Sequence, residues 1–136
     1  QGDMFMVTYG DGIADINIEK LIEFHKSHGK IATITGVHPI SRWGLVNIDE
    51  SNTITEFSQK PLLYDYVNGG FMVFNKEIFD YLRPGDMIED ALKRLIHQKQ
   101  AALYKHEGFW YGMDTYRDFL ILNELWEKDP KWKIWE

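Results

Sequence analysis

The sequence predicts an α/β domain built on a mixed β-sheet. Strand-like and helix-like segments follow one another in the order βα-β-ββ-β-αα-β-α along 136 residues. The first segment, Met4–Tyr9, carries no charge, which is typical of a strand buried on both faces, as in a parallel sheet. A helix-spaced segment and a β-branched run follow it, so the chain opens with a strand–helix–strand unit.

The first helix is predicted to begin at Asp15 or Asn17, either of which can cap it. Gly29 is typical of the residue that follows a helix end. The face toward the sheet is formed by residues at helical spacing: Ile18, Leu21, Ile22 and His25. The β-branched run Ile31–Val37 is the next strand.

The middle of the chain predicts a hairpin and then a second apolar strand. Gly44–Asn47 and Thr53–Ser58 are short strands, joined by a turn at residues 49–52. Tyr66–Phe74 is the apolar strand, interrupted by Asn68-Gly69-Gly70. Glycines weaken a strand unless its backbone must be approached closely, so this interruption is either a bulge or a contact surface.

The segments after this strand predict two helices and a further strand. Asn75 is expected to cap a short helix at Lys76–Leu82. Ile88–Lys99 has an apolar face and predicts a longer helix, and Ala101–His106 predicts a short strand.

The C-terminal segment predicts a loop, a helix and a docked tail. Gly108–Asp114 is interpreted as an aromatic loop, and Thr115 opens a capping-box helix that runs to about Lys128. The tail Lys131–Glu136 contains two tryptophans and is expected to dock on the domain. The residues expected on one side of the helix are Tyr116, Phe119, Leu120, Asn123 and Trp126.

The composition argues against several functional classes. Without cysteine the chain has no disulfide and no thiolate metal site, which suits a cytoplasmic protein. The net charge is −6 and the 15 Lys and Arg are scattered, so no nucleic-acid partner is expected. No apolar run approaches ~18 residues, so no membrane partner is expected either.

Asp11 and Asp114 are the first candidates for chemistry. Asp11 follows the first apolar strand, at the edge where α/β sheets bind ligands, although Asp-Gly is also a common turn. Asp114 precedes a helix, where it either caps that helix or acts chemically. If the fold brings both carboxylates to one edge, they form a Mg²⁺ site, and the amides that open the helix could assist an anion.

Lys60 and the Asn68-Gly69-Gly70 segment are the second candidates. Lys60 is either an exposed lysine at a strand end or a contact to phosphate. The Asn-Gly-Gly segment could offer amide groups to sugar hydroxyls. His25 and His28 are not expected to form a metal site, and the sequence has neither a nucleophile-elbow serine nor a glycine-rich phosphate loop.

Five motifs together resemble the sugar-phosphate nucleotidyltransferases. Ordered along the chain, they are FMVTYGDG (5–12), IATITGV (31–37), SQKP (58–61), NGGF (68–71) and GFWYGMDT (108–115). The GFW-x-x-MDT motif and the tryptophan-rich ending resemble the cytidylyl branch of that family.

The resemblance implies a fold, a reaction and cofactors. The fold would be a Rossmann-like, GT-A-like mixed sheet flanked by helices and incomplete at its N-terminal side. Residues 1–136 would form one domain, the C-terminal part of a nucleotidyltransferase. The reaction would join CTP and glucose 1-phosphate into CDP-glucose and pyrophosphate with Mg²⁺.

The resemblance also assigns roles to individual residues. Asp11 and Asp114 resemble the catalytic metal-binding pair, and Lys60 resembles the lysine that contacts the sugar phosphate. Gln59 stands where the family usually has Glu, which leaves the identity of the sugar open. The residues implied to bind substrate are Tyr9, Gly10, Gln59, Asn68 and Gly70.

Other functions remain open at this stage. The family's glycine-rich triphosphate loop would precede this segment, so the isolated chain is expected to be inactive. A non-catalytic sugar-phosphate-binding or assembly module is one alternative, and a uridylyl- or thymidylyltransferase segment for a related hexose phosphate is another. An open sheet edge would favour self-association, so a homo-oligomer is expected.

Overall fold

The computed structural model describes residues 2–135 and confirms an α/β fold with a mixed sheet. The strands are β1 (Met4–Thr8), β2 (Gly12–Ala14), β3 (Ala32–Val37), β4 (Leu45–Ile48), β5 (Ile54–Ser58), β6 (Val67–Asn75), β7 (Ala101–Lys105) and β8 (Trp110–Gly112). The helices are α1 (Ile18–His28), α2 (Ile88–His97) and α3 (Tyr116–Lys128), with a 3₁₀ helix at Lys76–Tyr81. Among residues 2–135, no helix is both long and apolar enough to cross a bilayer.

Four strands form the central sheet, in the order β1-β6-β3-β7. β3 and β7 are parallel, whereas β6 is antiparallel to both β1 and β3. The expectation that β1 is buried on both faces was wrong. β1 pairs with β6 at one edge of the sheet, and Met6 is 40% exposed. Phe5 and Val7 pack against the core, whereas Met6 between them faces solvent. The uncharged run is therefore an ordinary strand whose side chains alternate between core and solvent.

Two smaller ribbons extend from this sheet. β2 pairs with β8, and β4 pairs with β5 as the predicted hairpin. The aromatic segment Gly108–Asp114 was predicted to be a loop, but it contains β8, because Tyr111 and Trp110 pair with Ile13 and Ala14. β2 was not predicted because three residues are too few to show a period.

Helices cover both faces of the central sheet. Met72 and Phe74 point to one face, where they pack with Leu95 of α2 and with Ile78. Val73 lies between them in sequence and points to the other face, where it packs with Leu21 of α1. The alternating side chains of β6 therefore divide the core into two clusters, one on each face of the central sheet.

The caps of α1 follow the prediction. Asn17 accepts a hydrogen bond from the Lys20 amide, and Gly29 ends the helix with φ 65°. Asn75 does not cap the short helix that follows β6, which is a 3₁₀ helix. In α3 the buried residues are Asp118 and Leu122. The five residues predicted to share a face are exposed instead: Tyr116, Phe119, Leu120, Asn123 and Trp126.

A closed chain of hydrogen bonds connects α1, β3 and β6. The Lys30 amide donates to His28 Nδ1, and Thr33 Oγ1 bonds both His28 Nε2 (2.7 Å) and His25 Nδ1 (2.8 Å). His25 Nε2 bonds Asn75 Oδ1 at 2.9 Å, and Asn75 Nδ2 donates to the Lys30 carbonyl. Because the Lys30 amide donates to His28 Nδ1, the His28 imidazole is neutral and its Nε2–H donates to Thr33 Oγ1.

The β4–β5 hairpin stands apart from the core. All of β4 is exposed, as is β5 up to Phe57. Val46 and Phe57 are paired neighbours on one face, 48% and 63% exposed, and Ile48 and Ile54 pair beside them. Asn47 and Glu56 are joined on the other face by a hydrogen bond of 2.8 Å. The ribbon therefore presents an apolar face to solvent.

The tail docks through one of its two tryptophans. Trp132 stacks on Phe109 at 5.6 Å and on Trp126 of α3 at 6.1 Å between ring centroids. Trp135 is 57% exposed. Glu136, at the end of the predicted tail, lies outside the described residues.

Candidate active site

A cleft of about 520 Å³ separates the β8–α3 corner from the segment that follows β3. Pro39 to Arg42 and Lys60 line one part of it, and residues of β8 and α3 line the other. Three of its side chains are cationic and two are anionic: Arg42, Lys60, Arg117, Asp114 and Asp118. A concave site with converging charges is the form that small polar ligands require.

Asp118 is the buried anchor of this cleft. Its Oδ2 accepts hydrogen bonds from the Asp114 amide (3.1 Å), the Thr115 amide (2.9 Å) and the Thr115 hydroxyl (2.8 Å). Tyr111 donates to its Oδ1 at 3.0 Å. The hydrogen bond from the Thr115 side chain contributes most to lowering the Asp118 pKa to about 2, so the carboxylate stays ionised.

The predicted capping box of α3 is therefore confirmed, and it has a consequence for the site. Thr115 Oγ1 accepts from the Asp118 amide while Asp118 accepts from the Thr115 amide. The amides that open α3 were expected to assist a bound anion. Those of Asp114 and Thr115 are instead committed to Asp118 Oδ2, so they are not available to a ligand in this cleft.

Arg42 bridges the two sides of the cleft. Its Nη2 lies 2.6 Å from Asp114 Oδ2 and 3.4 Å from Asp118 Oδ2. The Arg42 and Asp114 side chains are 50% and 57% exposed, whereas Asp118 is 12% exposed. The pair with Asp114 is thus solvent-accessible, and the contact with Asp118 reaches into the protein.

Lys60 lies in the same cleft in an uncommon backbone conformation. Its φ is 48°, in the left-handed region that few non-glycine residues adopt. Such strain is often found at functional positions, where the surrounding structure enforces it. Gln59, the neighbouring residue, lies beside Gly44 at the base of the hairpin.

Tyr9, Asn68 and Gly70 form a second group, outside the residues that line this cleft. The Tyr9 amide donates to the Gly70 carbonyl at 3.2 Å, and the Gly70 amide donates to Asn68 Oδ1 at 2.9 Å. The Tyr9 hydroxyl donates to Glu89 of α2. Burial, and then this hydrogen bond, raise the pKa of Tyr9 to about 12. Gly10, beside this group, is exposed.

Asp11 and Asp114 are connected through the β2–β8 ribbon, although only Asp114 lines the cleft. The Met113 amide donates to the Asp11 carbonyl at 2.8 Å, so the two acids sit at the same end of the ribbon. Both are exposed. Mg²⁺ is usually held by one or two carboxylates together with waters and substrate phosphates, and this pair fits that donor set. Within residues 2–135 no cluster of three or more His, Asp or Glu could form a protein-only cage.

Three polar residues of these groups were not predicted as site residues: Arg42, Asp118 and Glu89. Asp118 was recognised only as part of a capping box, and no local pattern marks Arg42 or Glu89. Their roles depend on contacts between residues 72 to 80 positions apart in the chain. Only the tertiary fold shows such contacts.

Comparison with known proteins decides the family. Residues 1–129 match the nucleotidyl transferase family. The chain belongs to this family. The resemblance that the sequence motifs carried is therefore confirmed at the level of the family.

Curated nucleotidyl transferases align with nearly all of this chain. A probable glucose-1-phosphate cytidylyltransferase of Bacillus subtilis is 40% identical over 98% of this chain and 54% of its own length. A glucose-1-phosphate cytidylyltransferase of Salmonella typhi is 39% identical over 98% of this chain and 53% of its own length. The chain spans about half the length of these curated relatives.

A solved structure shows the same fold. The crystal structure of a putative glucose-1-phosphate thymidylyltransferase from Bacillus anthracis superposes with a TM-score of 0.66 at 22% identity. The match covers 93% of this chain and 55% of the other. The predicted nucleotidyltransferase-type, GT-A-like fold is therefore confirmed.

Proposed function

We propose that this chain supplies the sugar-phosphate and metal side of a glucose-1-phosphate cytidylyltransferase. The whole enzyme would join CTP and glucose 1-phosphate into CDP-glucose and release pyrophosphate. The observation that carries the proposal is the cleft in which Lys60, Arg42 and Arg117 face Asp114, in a family member about 40% identical to glucose-1-phosphate cytidylyltransferases.

The cleft cations suit a phosphate monoester. Lys60 offers a compact positive charge, and Arg42 offers a planar fork that can pair with two phosphate oxygens. Binding there would hold the sugar phosphate for in-line attack by one of its oxygens on the α-phosphate of CTP, with pyrophosphate as the leaving group. Little covalent chemistry is asked of the protein in such a transfer, so positioning and charge neutralisation are its main work.

Asp11 and Asp114 would hold Mg²⁺. When bound, the metal supplies charge neutralisation on the reacting phosphates. Tyr9, Asn68 and Gly70 would contact the sugar, because Tyr9 and Asn68 meet at Gly70 of β6 and Tyr9 lies two residues before Asp11 in the chain. The Gln59 amide would offer the sugar an uncharged acceptor.

Calorimetry with glucose 1-phosphate and Mg²⁺ tests this proposal on the 136-residue chain. We expect heat of binding with glucose 1-phosphate, little heat with CTP, and no pyrophosphate release when all three are mixed. Lys60→Gln should weaken glucose 1-phosphate binding about tenfold or more, since a charged hydrogen bond to the phosphate is lost.

Lys99→Gln is the matched control. Lys99 also has a left-handed backbone, with φ 58°, but it does not line the cleft. It should bind glucose 1-phosphate like the wild type. A wild-type chain that does not bind glucose 1-phosphate, or equal effects of the two substitutions, would contradict the proposal. Pyrophosphate release that Asp114→Ala abolishes would contradict the expected inactivity of the chain alone.

A further inference from the structure

Arg42 pairs with one of the two carboxylate oxygens of Asp114, the residue proposed above to hold the metal. Its Nη2 lies 2.6 Å from Asp114 Oδ2, closer than its 3.4 Å contact with Asp118. An Asp114 oxygen that accepts this guanidinium is less available to a cation, because the two positive charges repel each other at that distance. Arg42 and a metal therefore compete for Asp114.

The two contacts of Arg42 differ in permanence. Asp118 is fixed by Tyr111, by Thr115 and by the Asp114 amide, so it stays in place whatever Arg42 does. The Arg42–Asp114 pair is half exposed, and pairs of that kind contribute little to stability. Arg42 can consequently release Asp114 at small cost while it remains beside Asp118.

The same guanidinium faces the phosphate-binding side of the cleft. Arg42 and Lys60 both line it, and a phosphate monoester bound by Lys60 would lie within the volume that Arg42 also borders. A doubly charged phosphate offers the guanidinium a stronger partner than one exposed carboxylate.

We propose that Arg42 couples metal binding to sugar-phosphate binding. It pairs with Asp114 when the cleft is empty and pivots on Asp118 to the phosphate when the sugar phosphate enters, which frees Asp114 for the metal. This inference rests on the function proposed above, and it makes Arg42 a positioning residue for the metal site.

Metal binding by the chain and by Arg42→Gln tests the coupling. Mn²⁺, which prefers oxygen ligands as Mg²⁺ does, is titrated while free Mn²⁺ is measured by electron paramagnetic resonance, with and without glucose 1-phosphate. Without the sugar phosphate, Arg42→Gln should bind Mn²⁺ about two- to fivefold more tightly, because the competing ion pair is gone. The gain in Mn²⁺ affinity on adding glucose 1-phosphate should be smaller in Arg42→Gln than in the wild type.

Arg83→Gln is the control for charge. It removes one positive charge from an exposed arginine that does not line the cleft, and in the described part of the chain Arg83 forms no ion pair with Asp114. It should keep the wild-type gain on adding glucose 1-phosphate. Equal Mn²⁺ affinities of wild type and Arg42→Gln, or an undiminished gain in Arg42→Gln, would overturn the coupling.

The two proposals fail in different ways. The arm with Mn²⁺ alone tests the competition at Asp114 and does not need the sugar phosphate. A wild-type chain that binds no glucose 1-phosphate contradicts the proposed function and, with it, the phosphate-driven release of Asp114. Glucose 1-phosphate binding with no difference between wild type and Arg42→Gln contradicts the coupling only.

Discussion

Asp118 has two functions at the same time, one in the helix cap and one in the cleft. Its carboxylate completes the capping box of α3 and also receives Arg42 from across the cleft. Because burial is outweighed by four donors from Tyr111, Thr115 and Asp114, its pKa falls to about 2 and its charge is constant at ordinary pH. Because Asp118 stays negatively charged, Arg42 keeps its contact with Asp118 when its contact with Asp114 changes.

Gly70 is the residue on which the packing of the group formed by Tyr9, Asn68 and Gly70 depends. It has φ +82°, and a Cβ there would lie 2.9 Å from Tyr9 Cδ2. We predict that Gly70→Ala destabilises the fold by about 2–3 kcal/mol, from left-handed strain and displacement of the Tyr9 ring. Urea unfolding measures the cost, and calorimetry should show weaker glucose 1-phosphate binding.

Gly85 provides the control for backbone strain. Its φ is +89°, but a Cβ there would meet nothing within 4 Å. Gly85→Ala should therefore cost about 1–2 kcal/mol and leave ligand binding unchanged. Similar losses for both alanine variants would show that the contact with Tyr9 is unimportant.

At the scale of secondary-structure elements, the hydrogen-bonded ring of α1, β3 and β6 is sensitive to acid. His28 Nδ1 accepts from the Lys30 amide, so a proton on that nitrogen would break the ring. Burial, helped by His25 and Lys30, lowers the pKa of His28 below 6.5. As the pH falls, His28 therefore takes up a proton in the unfolded chain before it does so in the folded protein. The contribution of His28 to the free energy of unfolding is fully present above about pH 6.5 and decreases below it.

We predict that His28→Gln flattens this pH dependence. Urea unfolding of the wild type should give a lower free energy of unfolding at pH 5 than at pH 7.5. The variant should lose about 0.5–1.5 kcal/mol at pH 7.5, where the ring is intact in the wild type, and should lose less on acidification.

His97→Gln controls for the general effect of acid. His97 is an exposed residue at the end of α2, and it should keep the full wild-type dependence on pH. If His28→Gln and the wild type lose the same free energy between pH 7.5 and pH 5, the ring is not the acid-sensitive element.

Elements with a clear period or cap were predictable from the sequence, and those defined by tertiary pairing were not. The caps of α1 and α3 and the β4–β5 hairpin rest on local patterns, and they were confirmed. The edge position of β1 and the pairing of β2 with β8 depend on partners distant in the chain. The candidate site divides in the same way, since Lys60 lay in a motif whereas Arg42 lay in none.

At the scale of the whole molecule, stability is concentrated in the central sheet and the helices that cover it. The same substitution can be made in the core and on the hairpin, because Ile78 is 0% exposed and Ile54 is 63% exposed. We predict that Ile78→Thr costs about 2–4 kcal/mol, because apolar burial is lost and a hydroxyl is buried, while Ile54→Thr changes stability by about 0.5 kcal/mol or less. Urea unfolding of the two variants measures both values.

The comparison also tests the state of the hairpin in solution. Threonine keeps a high strand propensity, so the Ile54 substitution leaves the ribbon itself intact. A loss for Ile54→Thr as large as that for Ile78→Thr would mean that the apolar face of the hairpin is covered in solution.

The β2–β8 ribbon also determines when the site can exist during folding. It joins Asp11 to the neighbour of Asp114 across about one hundred residues of chain, and closing a loop of that length costs about 4 kcal/mol of entropy before any contact forms. The local helices and the hairpin do not carry that cost, so they can form earlier. A chain still emerging from the ribosome would have Asp11 long before it has Asp114. The contact between the two ends of this ribbon is therefore expected late in folding, and the proposed affinity for Mg²⁺ would serve as a probe of it.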